Sequence, residues 1–400
     1  MVLARKTVEA SMPWISSFGC SSHAFNLVAK DLTNVGWVSS VVTASSRIVD
    51  FFKGKTYPRA ALRQAQSLLL KKRPSLLKYA ITRWGSVHLM LSSIQRNRIP
   101  LVSAVQDPTK LRLKRPNERE KFNELRNAIL NVGYWEAMEM AQSLFRPIFN
   151  ATKLMETDDI PLSSVVACFY ALENLCAKLQ CGEEATTVIT KGFTDRLALV
   201  HHDAMYCAFV LDPAHRSREV INAIVDNKAR GYLKKISEGS PDMERTLTLQ
   251  YGLYMAAEGC FAGTNWDAAS TLHPRLFWDA FNMVGRTPEL AVLAKKLFSA
   301  KTSSAGSERG FSKQKFIQTP SRNRLTESNM NMLTCICFND ASHMRPEREL
   351  NERNDLKFLE TLNDDISNDI EEEDDNDVEI IDLDEESKGN EDDDEEKKQG

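Results

Sequence analysis

Side chains able to do chemistry are few in this sequence, and their spacing limits what they can do. Cys20 and His23 stand in one short block, Cys20-Ser21-Ser22-His23, with residue types that ligate metals. They are only two, and a structural zinc takes four ligands. Such a pair more often fixes local packing and hydrogen bonding, and no metal site is expected. The other cysteines are Cys168, Cys176, Cys181, Cys207, Cys260, Cys335 and Cys337. No CxxC pair occurs among them, so neither a disulfide framework nor a zinc module is read. Most fall on apolar faces, where a free thiol packs as a small hydrophobe, and a reducing compartment is the simpler reading. Glu308, in Ser307-Glu308-Arg309, is a carboxylate early in a helix. There it favours the positive end of the helix dipole, and Arg309 is at hand to pair with it.

The elements that must position these residues are helices. Val38, Val41, Val42, Ile48 and Phe52 fall close to helical spacing, and Lys53-Gly54-Lys55 supplies a glycine stop. Val87, Met90, Leu91 and Ile94 make a second apolar face. From Glu118 to about Lys235 the pattern is almost continuously helical. Val165, Val166, Phe169, Leu172, Leu175 and Leu179 form one stripe in it. Asp212-Pro213 breaks that run, and no strand-like alternation of any length occurs. Further on, Leu290, Leu293, Ala294 and Leu297 line a helix ending near Phe298. Thr326 can cap a last helix with Met330, Leu333 and Cys337 on one face and Ile336 beside them.

The 400 residues suggest two or three domains, and 42% hydrophobic residues support a sizeable core. No apolar run is long enough to span a bilayer, and the start lacks a signal-peptide block. The net charge of -4 hides a split. Residues 361–400 hold 20 acidic and 3 basic side chains, which leaves 35 acidic and 48 basic in residues 1–360. A basic body attracts phosphate backbones. The acidic tail could compete with them as a DNA mimic, or be a solvated disordered end, which is the preferred reading. Lys71-Lys72-Arg73 and Arg112-Leu113-Lys114-Arg115 could serve nuclear import or phosphate contact, although short basic clusters are usually solvated surface.

The tail holds an apolar island, Val378, Ile380, Ile381 and Leu383, followed by Asp384-Glu385-Glu386. Apolar residues there have no core to serve. The island resembles a SUMO-interacting motif, which adds a strand to an exposed sheet edge, with flanking acids steering it to a basic rim. Chance recurrence of a short motif is the competing reading.

Three segments together resemble the hAT superfamily of DNA transposases. Cys20-Ser21-Ser22-His23, continuing into Ala24-Phe25-Asn26-Leu27, is similar to the family's CxxH block. Thr82-Arg83-Trp84 is like its TRW segment at the entrance to a helical insertion. Residues 303–325, SSAGSERGFSKQKFIQTPSRNRL, look like its C-terminal dimerisation signature. The resemblance covers residues 15–340.

It implies a mainly α chain with a partial α/β RNase H-like domain interrupted by a helical insertion, to which composition adds the disordered acidic tail. The expected segments are a truncated RNase H-like remnant at 1–75 and a helical insertion at 76–280. A dimerisation region at 281–352 closes the RNase H-like domain, and the tail occupies 353–400. The family cleaves DNA with three carboxylates around two divalent metals. Glu308 matches the third carboxylate. The two aspartates expected upstream are not found, and Asp31 is a poor substitute because it follows the CxxH block. One carboxylate cannot hold two metals, so no enzyme activity and no cofactor are expected. Mg2+ or Mn2+ would enter only with a longer, complete chain. The resemblance makes Trp84, Arg83 and Arg309 DNA-contact candidates, with a core tryptophan the slightly preferred reading of Trp84. Leu290, Leu293, Leu297, Phe311 and Leu333 are expected in the core and the subunit contact. The resulting expectation is a nuclear, non-catalytic homodimer, with DNA and SUMO as further partners and no membrane association. The alternatives are an active transposase whose gene model lacks its amino-terminal zinc finger and two aspartates, and a decaying element.

Overall fold

The expected helical spacing is realised along the chain. The computed structural model describes residues 2–363 apart from 13–14, 80–84, 114, 158, 180, 217–220, 283–287, 320–323 and 344–352. In order, the helices are α1 (Val2–Ser11), α2 (Ser21–Leu32), α3 (Gly36–Gly54), α4 (Thr56–Leu69), α5 (Gly85–Arg96), α6 (Arg98–Gln106) and α7 (Pro116–Leu130). There follow α8 (Val132–Glu156), α9 (Ser163–Lys178), α10 (Glu183–Val200), α11 (Asp203–Leu211), α12 (Ala223–Ile236) and α13 (Pro241–Ala256). The last are α14 (Trp266–Thr271), α15 (Pro274–Asn282), α16 (Glu289–Phe298), α17 (Ala305–Ile317), α18 (Glu327–His343) and α19 (Asn354–Asn363).

Local chemistry sets many of their ends. Asn131, Asn222 and Asn265 accept from the first free amides of α8, α12 and α14, satisfying groups that have no partner inside the helix. Proline opens α7 and α13, where its missing N–H costs nothing. Gly54 ends α3 as expected, and α11 stops before Asp212-Pro213.

Helix α8 is the axis of the body. It packs against α2, α3, α5, α7, α9 and α19. Its buried face runs from Tyr134 through Met138, Leu144 and Ile148 to Met155. The α9 stripe is buried at Val165, Val166, Phe169, Leu172 and Leu175. Phe169 stacks on Phe25 of α2, with ring centroids 4.3 Å apart. Residues 1–363 form one compact unit.

Two expectations are corrected. The partial α/β domain is not found: among the described residues there is no strand, and residues 1–75 contain α1 to α4. The reason lies in the spacing, since Val38, Val41, Val42, Ser45, Ile48, Val49 and Phe52 are buried at three- and four-residue steps that a two-residue sheet period cannot produce. The tail does not begin at residue 353. Helix α19 packs on α9 and α8 and buries Leu359 and Leu362. Residues 364–400 lie outside the described residues.

An ion cluster holds α19 in place. The buried guanidinium of Arg353 donates to Asp212 at 3.0 Å and to Asp355 at 2.9 Å, and reaches the Leu272 carbonyl at 3.1 Å. Ser163 donates to Asp212 at 2.6 Å and Ser164 to Asp355 at 2.7 Å. Burial alone would raise the Asp212 pKa. The Arg353 charge, His215 and the hydrogen bonds from Arg353 and Ser163 outweigh burial and bring it to about 2. This lies below the unfolded value of about 3.9, so the Asp212 contribution is complete above that pH and is lost as pH falls toward 2. Arg353→Met leaves two buried carboxylates without their cation and is expected to cost about 3–5 kcal/mol. Urea denaturation at neutral pH checks this, and a loss below about 1 kcal/mol would show that the cluster is not structural.

Candidate self-association site

The C-terminal part of the body is organised around Trp278 on α15. This fully buried indole donates to the Leu211 carbonyl at 2.9 Å, tying α15 to the end of α11. Tyr254, Phe261, Phe277 and Phe281 surround it, with ring centroids 5.2, 5.8, 5.2 and 5.8 Å away. Arg216 lies over the Trp266 ring at 4.1 Å and donates to the carbonyls of Tyr254 and Met255. This cluster was not singled out from sequence. Its signal is the aromatic density of Phe277-Trp278-Asp279-Ala280-Phe281.

Helix α16 packs on α15, α11 and α13. Leu290 is core, while Leu293 and Leu297 are buried yet border an open groove of about 900 Å³ between α12, α13 and α16. Val292 and Met243 stand more exposed at the groove, at 43% and 39%.

Beyond α16 the chain changes character. Helices α17 and α18 pack against each other, and several of their large apolar side chains are exposed. Phe311 is 69% and Phe316 86% exposed, and Met332, Leu333 and Ile336 are exposed too. The expectation that Phe311 and Leu333 are core is therefore corrected. They belong to a pair of helices too narrow to bury them, because among the described residues α17 and α18 have chiefly each other as neighbours. Thr326 caps α18 as read from sequence, accepting from the Asn329 amide at 3.3 Å.

The root of this hairpin is fixed. The Thr302 hydroxyl donates to the Met155 carbonyl at 3.1 Å, and the Ser21 amide donates to the Thr302 carbonyl at 3.0 Å. The Ser304 amide reaches the Cys20 sulfur at 3.4 Å, and Arg309 donates to the Glu156 carbonyl at 2.8 Å. Two blocks picked out separately in the sequence thus meet. Cys20 serves the joint between body and hairpin, whereas His23 is exposed. Glu308 is exposed on the first turn of α17 and accepts from the Ser304 hydroxyl at 3.0 Å. Asp31 is engaged elsewhere, in a bidentate pair with Arg196 of α10 at 2.7–3.0 Å. Arg83, Trp84, Val378, Ile380, Ile381 and Leu383 lie outside the described residues.

The positive charge of the body is localised. Residues 47–121 hold 18 basic and 4 acidic side chains, while the whole chain carries a net -4. Helix α3 packs on α4, α5 and α7, and α4 on α6 and the short turn at 108–111, so the described residues of this segment form one lobe. Arg59, Arg63, Lys71, Arg73, Lys110 and Arg119 are exposed on it. Arg112 lies over the Tyr57 ring at 4.7 Å and reaches its hydroxyl at 3.3 Å.

Cys20 is half-buried. Burial would raise its pKa, but the hydrogen bonds with Ser22 and Ser304 and the backbone amides of Ser304 and His23 carry it below the ordinary thiol value. Burial pushes Cys176 up to about 12. Removing one thiolate partner with Ser22→Ala is expected to raise the Cys20 pKa and slow its alkylation near pH 7. Mass-spectrometric labelling kinetics read this directly. An unchanged rate would mean that the joint does not hold the sulfur as described.

No curated protein matches the chain. Residues 254–339, from the Tyr254 end of the aromatic cluster to most of α18, match the model of the hAT family C-terminal dimerisation region. The chain carries an hAT-type dimerisation region, consistent with a protein derived from an hAT-family transposase.

Proposed function

We propose that this protein is a transposase-derived, non-catalytic protein that associates with a second copy of itself through the α17–α18 hairpin. One observation carries the reading: Phe311, Phe316, Met332, Leu333 and Ile336 are exposed within the matched dimerisation region. Large apolar side chains left exposed on two neighbouring helices favour an interaction site. Covering one such ring is worth about 1.5–3 kcal/mol, and two-fold symmetry counts every contact twice. The anchored root supports pairing by limiting how far the arm must be ordered on association.

A second activity, sequence-independent DNA binding, is favoured by the concentration of basic side chains in residues 47–121. Cleavage is not part of the reading. Glu308 is hydrogen-bonded to Ser304, and among the described residues no three metal-ligating side chains converge. This supports the non-catalytic reading. Residence in the nucleus and recognition of SUMO by Val378, Ile380, Ile381 and Leu383 complete the proposal on sequence grounds alone.

Phe311→Glu with Phe316→Glu is expected to convert a dimer to a monomer without lowering the melting temperature, since both side chains are exposed. Light scattering after gel filtration, beside a thermal melt, checks this. A variant that stays dimeric ends the hairpin reading. For DNA, Arg59→Glu with Arg63→Glu is expected to weaken duplex binding and flatten its salt dependence, by about 0.9 in log–log slope per lost phosphate contact. The same mixture with Mg2+ or Mn2+ is expected to leave plasmid intact, and nicking would favour the active-transposase alternative.

A further inference from the structure

We propose that the partner's hairpin docks in the groove between α12, α13 and α16, so that each copy gives its arm and receives the other's. This rests on the self-association reading and adds where the arm goes. The region matched as a dimerisation region contains both a protruding apolar element and a wall of an apolar recess. Helix α16 contributes Leu293 and Leu297 to the groove, with Ile236 and Leu247 from α12 and α13. Val292 and Met243 are partly exposed there.

Three observations point to a second copy as occupant. First, α16 leads through residues 299–304 into α17, so groove and arm are continuous in one segment. Second, the single chain leaves both unmatched: Phe316 is 86% exposed while the groove stays open. Third, the apolar side chains of α17 extend well beyond its anchored start. Phe316 sits near the end of α17, about 18 Å along the helix from its anchored start at a rise of about 1.5 Å per residue. The groove also suits an arm of mixed charge. Lys235, Lys296, Glu238 and Glu289 lie beside its apolar lining, and residues 305–343 carry Glu308, Glu327 and Asp340 together with Arg309, Lys313, Lys315, Arg322 and Arg324.

In either arrangement two-fold symmetry makes residue i of one copy meet residue j of the other and j meet i, but only exchange places i on the arm and j in the groove. A copy with a damaged arm still offers an intact groove, and a copy with a damaged groove still offers an intact arm. Their mixture rebuilds one of the two contacts.

The test uses full-length protein and two variants, Phe316→Glu on the arm and Val292→Glu in the groove, with Met243→Glu as a second groove variant. Each replaces an exposed side chain, and circular dichroism with a thermal melt establishes that each is folded. Light scattering is expected to show a dimer for the unaltered chain and a monomer for each variant. An equimolar mixture of arm and groove variants is expected to return to dimer mass, as a heterodimer that contains one copy of each. If both folded groove variants remain dimeric while the arm variant is monomeric, the arms pair with each other, and the groove proposal is overturned with self-association intact. If all are monomeric and mixing restores nothing, reciprocal exchange is overturned. If the arm variant stays dimeric as well, the hairpin reading falls with it.

Discussion

The Arg353 guanidinium, closed between Asp212 and Asp355, is the interaction on which the C-terminal architecture depends. It joins the end of α11, the start of α9 and the start of α19. A charge this deep survives only with full pairing, because desolvation is otherwise too costly. Each carboxylate accordingly takes a second donor, from Ser163 or Ser164. Helix α19 follows the hairpin in the chain, so the cluster returns the chain to the body after α18. Before α17, the backbone and side chain of Thr302 and the Ser304 amide perform the same service. The hairpin thus lies in a chain segment tied to the body on both sides.

That arrangement separates two jobs within one matched region. The Trp278 cluster and Leu290 make a rigid base, where aromatic rings and an indole hydrogen bond leave little freedom. The α17–α18 pair keeps its apolar residues outside. The body elsewhere segregates charge, with the net excess of basic side chains lying in residues 47–121. Apolar association and electrostatic attraction therefore have separate elements available to them.

Much of this was legible in the sequence, for a definite reason. The α9 stripe, the α3 and α5 faces, the stop at Gly54 and the cap at Thr326 are local features of spacing and end chemistry. Such features persist whatever the tertiary context. Other features were not local. Arg353 looks like one more charge at the edge of an acidic tail, and its partner Asp212 lies 141 residues away in sequence. Leu359 and Leu362 were hidden for the same reason, because composition averaged over the tail outweighed a short amphipathic helix. Cys20 and Ser304 were each singled out, yet their contact over 284 residues could be known only from the fold. Phe311 and Leu333 were read as core because periodicity reports an apolar face without saying what covers it.

The central claim is that this chain pairs with itself. The most direct test is the molar mass of the unaltered 400-residue chain in solution, followed by light scattering across a dilution series. The expected result is a species of twice 45.2 kDa that gives way to monomer only on dilution. A mass of 45.2 kDa at every concentration would contradict it.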